Sequence, residues 1–206
     1  TSTFQTYLAE LATNYLSKEL DTELHIGKVD IYFFDRLSLD DVFVRDQHGD
    51  TLASLGSIDV TLQSLNLNAN KMVLKNIALN EGRVGISRDS LEGEYNYAFI
   101  ADYFSSGSKK KGSDPMDVTV RSLDIDQVDI TYDDYRKTYN EYGMDYDHLD
   151  FRNVVLHTKG FESDGETFAF DVEKLSASEK CGIVLRRLEA RCLIGSRGIL
   201  LSNVKI

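Results

Sequence analysis

Positive charge is scarce in this chain: 23 Lys and Arg stand against 34 Asp and Glu, a formal net charge of -11. Phosphate contacts need a basic footprint, so this balance argues against a nucleic-acid binder. It leaves apolar and zwitterionic ligands open. No apolar run approaches the roughly 18–20 residues that a membrane span needs. No signal peptide opens the chain, which begins Thr1-Ser2-Thr3-Phe4. The two cysteines, Cys181 and Cys192, form neither a metal spacing nor a disulfide framework, so they mark no compartment. Tryptophan is absent and proline occurs once, as Pro115.

The motifs of common chemistry are missing too. His25, His48, His148 and His157 are scattered, with no pair at ligand spacing. No nucleophile elbow, P-loop or dinucleotide fingerprint occurs. Acids are abundant, but nothing selects one pair for glycosidase-like work. Asp124, Asp126, Asp129, Asp133 and Asp134 lack the turn glycine and terminal glutamate of an EF-hand loop. Strand alternation explains Asp124 and Asp126 as an outward face. The chain reads as a non-enzyme without metal or cofactor.

What is present is periodic. Phe4, Leu8, Leu11, Ala12, Tyr15, Leu16 and Leu20 recur at steps of three and four, which predicts an amphipathic helix over residues 4–20. Ser2 and Gln5 make a capping box at its start. Its polar face is not basic, so a cap over a core fits better than a membrane-surface helix.

From Leu24 onward one template dominates: apolar-x-apolar-x-x-apolar-x-apolar. It occurs as Leu24/Ile26/Val29/Ile31, Leu37/Leu39/Val42/Val44, Met72/Leu74/Ile77/Leu79 and Leu123/Ile125/Val128/Ile130. It returns as Leu149/Phe151/Val154/Leu156, Ile183/Leu185/Leu188/Ala190 and Ile199/Leu201/Val204/Ile206. Seven copies make an internal repeat. Alternation puts one face of a strand inside. Two polar residues in mid-pattern would reverse the faces unless a two-residue hairpin loop or a β-bulge absorbs one of them.

Turn signals decide for the bulge, because they fall outside the template. They are His48-Gly49-Asp50, Glu81-Gly82, Ser163-Asp164-Gly165, Cys181-Gly182 and Gly195-Ser196-Arg197-Gly198, with Asn66 to Asn68 as a further one. Strands of about ten to fourteen residues follow, joined by tight turns, with a bulge near the middle of many. The second polar slot often holds Asp or Asn (Asp41, Asn76, Asn153, Asn203), which tolerate the left-handed conformation. This register places Cys181 in a turn and Cys192 far along the next strand, so no disulfide is expected.

The expected fold is mainly β: an antiparallel meander of long bent strands forming a U-shaped groove with an apolar interior. Residues 88–116 interrupt it with a short helix near 95–104 and a linker, Ser105 to Asp114, expected to be mobile. Residues 133–147 read as a polar excursion. One helix cannot cover so long an apolar face. A trough closed as an ordinary core and a trough left partly open both fit. An open one suits acyl chains, since each buried methylene is worth about 0.8 kcal/mol without any polar contact. The lining candidates are the quartets from Leu37 onward, apart from Ala190 and Ile206, with Phe168 and Phe170 added.

The runs Ala12-Thr13-Asn14-Tyr15-Leu16-Ser17, His25 to Phe34 and Leu37 to Leu52 resemble the start of TamB-like proteins of the AsmA-like superfamily, in the version found in Bacteroidota. Lys174-Leu175-Ser176, Glu179-Lys180-Cys181-Gly182 and Leu185 to Ala190 agree, although the family commonly has Ser where Cys181 stands. The match is looser over 88–147. The resemblance implies a periplasmic, taco-like groove. The helix of residues 1–22 would follow an inner-membrane anchor, and residues 23–206 would begin the groove of a much larger chain. It implies phospholipid as cargo between inner and outer membranes, or assembly of outer-membrane proteins with a β-barrel partner. It names no catalytic residue.

Overall fold

The computed structural model describes residues 2–33, 35–69, 71–89, 93–106, 117–163, 167–195 and 198–206. Helix α1 (Ser2–Leu20) precedes β1 (Leu24–Tyr32), β2 (Arg36–Arg45), β3 (Thr51–Asn66) and β4 (Lys71–Arg88). A 3-10 turn, Leu67–Ala69, joins β3 to β4. Helix α2 (Ala98–Ser106) follows, then β5 (Asp117–Val120), β6 (Leu123–Asp134), β7 (His148–Ser163), β8 (Thr167–Glu179), β9 (Val184–Gly195) and β10 (Gly198–Lys205). The strands form one open sheet in the order β1-β2-β3-β4-β6-β7-β8-β9-β10, with β5 beside β4. The expected linker residues 107–114 lie outside the described residues.

The sheet is antiparallel except at one junction. Both β5 and β6 pair with β4 in parallel, β5 along Lys71 to Leu74 and β6 from Ile77 onward. A parallel pair needs a long crossover rather than a hairpin, and residues 89–116 supply it. The sequence signals there mark an interruption but not a change of strand direction.

Left-handed kinks lie where the quartets place the bulges, but the register shifts as a bulge requires only at β6–β7, β7–β8 and β9–β10, because elsewhere neighbouring strands break at the same row. Asp41 (φ 52), Gln127 (φ 55), Asn153 (φ 50) and Asn203 (φ 53) hold left-handed backbone at the second polar slot of four quartets. Ile125 and Val128, three residues apart, are consequently both buried. Lys28, Asn76 and Arg187, in the same slot of the other three, are not left-handed. Glu81-Gly82, expected as a turn, is instead a kink in mid-β4, with Glu81 at φ 50 and Gly82 at φ 151 and no shift of register to β3 or β6 across it. The chain continues straight through because Leu55 on β3 pairs with Gly82. The strands therefore run longer than expected: β3 has 16 residues and β4 has 18.

These kinks line up across the sheet as a crease. Gly27 and Gly56 face Asp41 from either side, Gly56 also faces Glu81, and Glu81 adjoins Gln127. A left-handed residue breaks the extended run of its strand, so a row of such breaks in neighbouring strands folds the sheet along a line. Close backbone approach there explains the glycines: a Cβ on Gly27 would lie 2.9 Å from the Asp41 Cβ, and one on Gly82 would lie 2.1 Å from the Ser54 carbonyl oxygen.

Helix α1 closes the β1 end of the sheet. Thr13 Oγ1 accepts the Ile26 N–H at 3.0 Å and Ser17 Oγ accepts the Leu24 N–H at 3.2 Å. The first residues of the free edge of β1 are thereby satisfied by side chains and blocked to other strands. Ala9, Ala12, Leu16 and Leu20 pack inward, but Leu11 and Tyr15, expected in the same stripe, are exposed. The stripe is narrower than the sequence suggests because α1 serves an edge as well as a face. Ile31, the last member of the first quartet, is also exposed, at the end of β1 next to the turn into β2.

Candidate functional site

The apolar face divides into two clusters. Ala9, Leu24, Ile26, Val29, Val42, Val44 and Leu52 form the first, beneath α1 and with Phe99 and Ile100 of α2 packed on it. Here Leu37, Leu39, Val42 and Val44 are brought together, but as a filled core. Leu55, Ile125, Val128 and Val154 form the second, with Leu79, Leu123, Ile130, Phe151, Leu156, Leu175 and Ala177 around them. Ala53 and Ile58 belong to both, so the apolar surface is continuous.

Among the described residues no helix packs on the second cluster. A cavity of about 410 Å³ opens above it, walled by Ile125, Ile130, Phe151, Val154 and Leu156 from β6 and β7, by Leu175 and Ala177 from β8, and by Ile183 and Leu185 at the start of β9. Met144 and Glu179 complete the wall. Its volume is on the order of fourteen methylene-sized groups, taking each as close to a water molecule at about 30 Å³. Glu179 is its single ionisable wall residue and is already satisfied: one carboxylate oxygen accepts the Cys181 N–H at 2.7 Å, the other the Asp150 N–H at 3.1 Å. Burial pushes this carboxyl up, but the hydrogen bonds from Cys181 and Asp150 outweigh it and hold it below the usual range. The wall thus presents hydrocarbon and no free polar group.

The other groove candidates follow by register. Ile77 pairs with Leu123, Leu149 stands two residues from Phe151, and Leu188 pairs with Leu175, so all three share the second cluster's face. Met72 and Leu74 are half-buried farther along β4, opposite β5. Ile199 and Leu201 pair with Ile194 and Cys192 and are exposed, as is Val204, on the edge strand. Phe170 stacks on Phe161 with ring centroids 4.6 Å apart, whereas Phe168 is exposed.

Leu175, Ala177, Met144 and Glu179 were not signalled. Phe170/Val172/Leu175/Ala177 is in fact a further copy of the template, masked by its weakly apolar last member. Met144 lies in the polar excursion, where nothing periodic points to it.

Compared with known proteins, the chain matches no family model, no curated protein and no solved structure. Function therefore rests on the geometry of the chain itself.

Elsewhere the polar groups pair with each other. A second concavity of about 430 Å³, lined from β7 to β10, is bordered by Lys159, Arg187, Arg191 and Lys205. Arg191 meets Asp171 at 3.2 Å and Glu162 at 3.1 Å, Lys159 meets Glu173, and Glu189 meets both Arg187 and Lys205. Matched charges of this kind form a solvated outer face. Asp124 bonds Asn76 at 3.0 Å and His157 at 3.1 Å. Among the described residues no group of three His, Cys, Asp or Glu side chains is placed to hold a metal ion, and no helix is long and apolar enough to cross a membrane.

Proposed function

We propose that this chain is a segment of a passive, bridge-like lipid carrier, whose groove receives phospholipid acyl chains between inner and outer membrane. The observation that carries this reading is the open apolar cavity above Ile125, Val154 and Leu175, with its one carboxylate fully engaged. Such a surface gains free energy from hydrocarbon alone and does not discriminate among headgroups. The resemblance to TamB-like proteins supports the same reading and would imply a periplasmic segment following an inner-membrane anchor. Carriage of this kind requires no cofactor and no catalytic residue.

The test is native mass spectrometry of the purified chain, with Leu185→Asp as the variant. Leu185 is half-buried and on the cavity wall, so an aspartate there meets water at its rim. Ile125→Asp is the poorer choice, because Ile125 is 7 % exposed within the core cluster and an unpaired carboxylate there opposes folding. Bound phospholipid in the wild type, lost in a folded Leu185→Asp variant, is expected. Equal lipid in both overturns the proposal.

A second reading, a scaffold for outer-membrane protein assembly with a β-barrel partner, has one observation in its favour. Strand β10 pairs on one side with β9 only, and Ile199, Leu200, Leu201 and Val204 along it are exposed. An unpaired apolar edge can accept a client strand. Capture of unfolded barrel strands by delipidated protein would favour it.

A further inference from the structure

We propose that residues 135–147, between β6 and β7, form a strap across one end of the apolar cavity, clasped by Tyr139, Asp145 and His148. The proposal rests on the acyl-carrier reading of that cavity and adds a gate to it.

The strap reaches the cavity through Met144, which is part of its wall. Tyr135, Tyr142 and Tyr146 are exposed and do not anchor it, and Tyr139, also exposed, holds it through one ring face only. The rest of what holds it down is polar. The Asp145 carboxylate, itself buried, accepts the Asn140 N–H at 2.8 Å, the Asp147 N–H at 3.1 Å and His148 Nδ1–H at 3.0 Å. Those bonds fold the strap onto the first residue of β7. The Tyr139 ring then lies on the His148 imidazole with centroids 3.7 Å apart, and the Lys180 ammonium sits 5.9 Å from the Tyr139 centroid. Lys180 belongs to the turn before β9, next to the cavity-lining Ile183. The clasp therefore ties together two loops that meet the cavity.

It is also held at a cost. His148 is fully buried, and its Nε2 has no hydrogen-bond partner. A buried polar atom left unpaired opposes the closed arrangement, and lifting Tyr139 away would hydrate it. A strap held by Met144 at the cavity wall, one ring stack and a polar hub with one unsatisfied atom is poised to open, as a gate for an entering hydrocarbon chain must be.

The experiment uses the whole chain and the variant Tyr139→Ala, with Tyr142→Ala as the control outside the clasp. Amide hydrogen exchange over residues 140–147 reads the strap directly. Transfer of a pyrene-labelled phosphatidylcholine from the protein to phosphatidylcholine vesicles reads the gate. Loss of one ring stack is expected to speed both by roughly two- to twelvefold, with Tyr142→Ala like wild type. Exchange in Tyr139→Ala equal to wild type, or faster exchange with unchanged transfer, overturns the strap as a gate. Failure of the wild type to take up the probe would instead remove the carrier reading, while amide exchange would still decide whether the clasp holds.

Discussion

Replacing Gly82 by alanine tests the crease on which the shape of the groove depends. Two costs combine there. The backbone at φ 151 lies in a region that L-residues rarely adopt, with a strain of roughly 1–3 kcal/mol. The added Cβ would also stand 2.1 Å from the Ser54 carbonyl oxygen and 2.9 Å from the Leu55 Cα, both backbone atoms. Neither can swing aside, so β3 must move away from β4 where Leu55 pairs with Gly82. The sum is about 3–5 kcal/mol. With a urea slope of about 3 kcal/mol/M, the unfolding midpoint should fall by at least about 1 M. Gly49→Ala is the control: its φ is 91 but an added Cβ meets nothing within 4 Å, so only the conformational cost of about 1–2 kcal/mol applies. Equal losses in the two variants, at unchanged slope, would refute close packing at the crease and the bending argument with it.

Val128→Ala should cost about 2–3 kcal/mol in the same urea assay, since Val128 is fully buried in the second cluster. Acid should destabilise the fold through Asp134, Asp145 and Glu179. Hydrogen bonding from Arg136 holds Asp134 far below the carboxylate range, and the Asn140 N–H holds Asp145 down. Groups depressed in the folded state contribute stability that is complete above about pH 5 and is lost as pH falls through about 4 towards the folded values. A pH series of thermal unfolding on Asp134→Asn, showing a flatter acid limb than wild type, would confirm the sign. A maleimide at neutral pH should label Cys181 quickly and Cys192 slowly, because Cys181 is exposed whereas Cys192 is buried and its thiol is pushed up by burial; peptide mapping of the adducts gives the answer.

Much of the fold was legible before any coordinates, and for local reasons. Apolar spacing reports which face of a strand is dry, so Leu123, Ile125, Val128 and Ile130 declared their common side. The left-handed slots at Asp41, Asn153 and Asn203 were legible because Asp and Asn are the non-glycine residues that tolerate that backbone best. Gln127 occupies the same slot without such a signature, and only position in the template reveals it. Glu81-Gly82 misled because a glycine after a polar residue serves a turn or a mid-strand kink equally well, and the choice lies with the strand opposite.

The sequence by itself determined that this chain is a one-faced sheet with repeated mid-strand bends, an N-terminal helix and an interruption after residue 88. Those properties depend on spacings within a dozen residues, which the chain carries wherever it goes. Tertiary structure alone decided that β4 and β6 run in parallel, that α1 and α2 fill one half of the apolar face while leaving a 410 Å³ cavity over the other, and that Asp145 and His148 are buried where a polar loop enters β7. Each of those outcomes depends on pairings between segments far apart in the chain, where free energy is set by what meets what and not by local pattern.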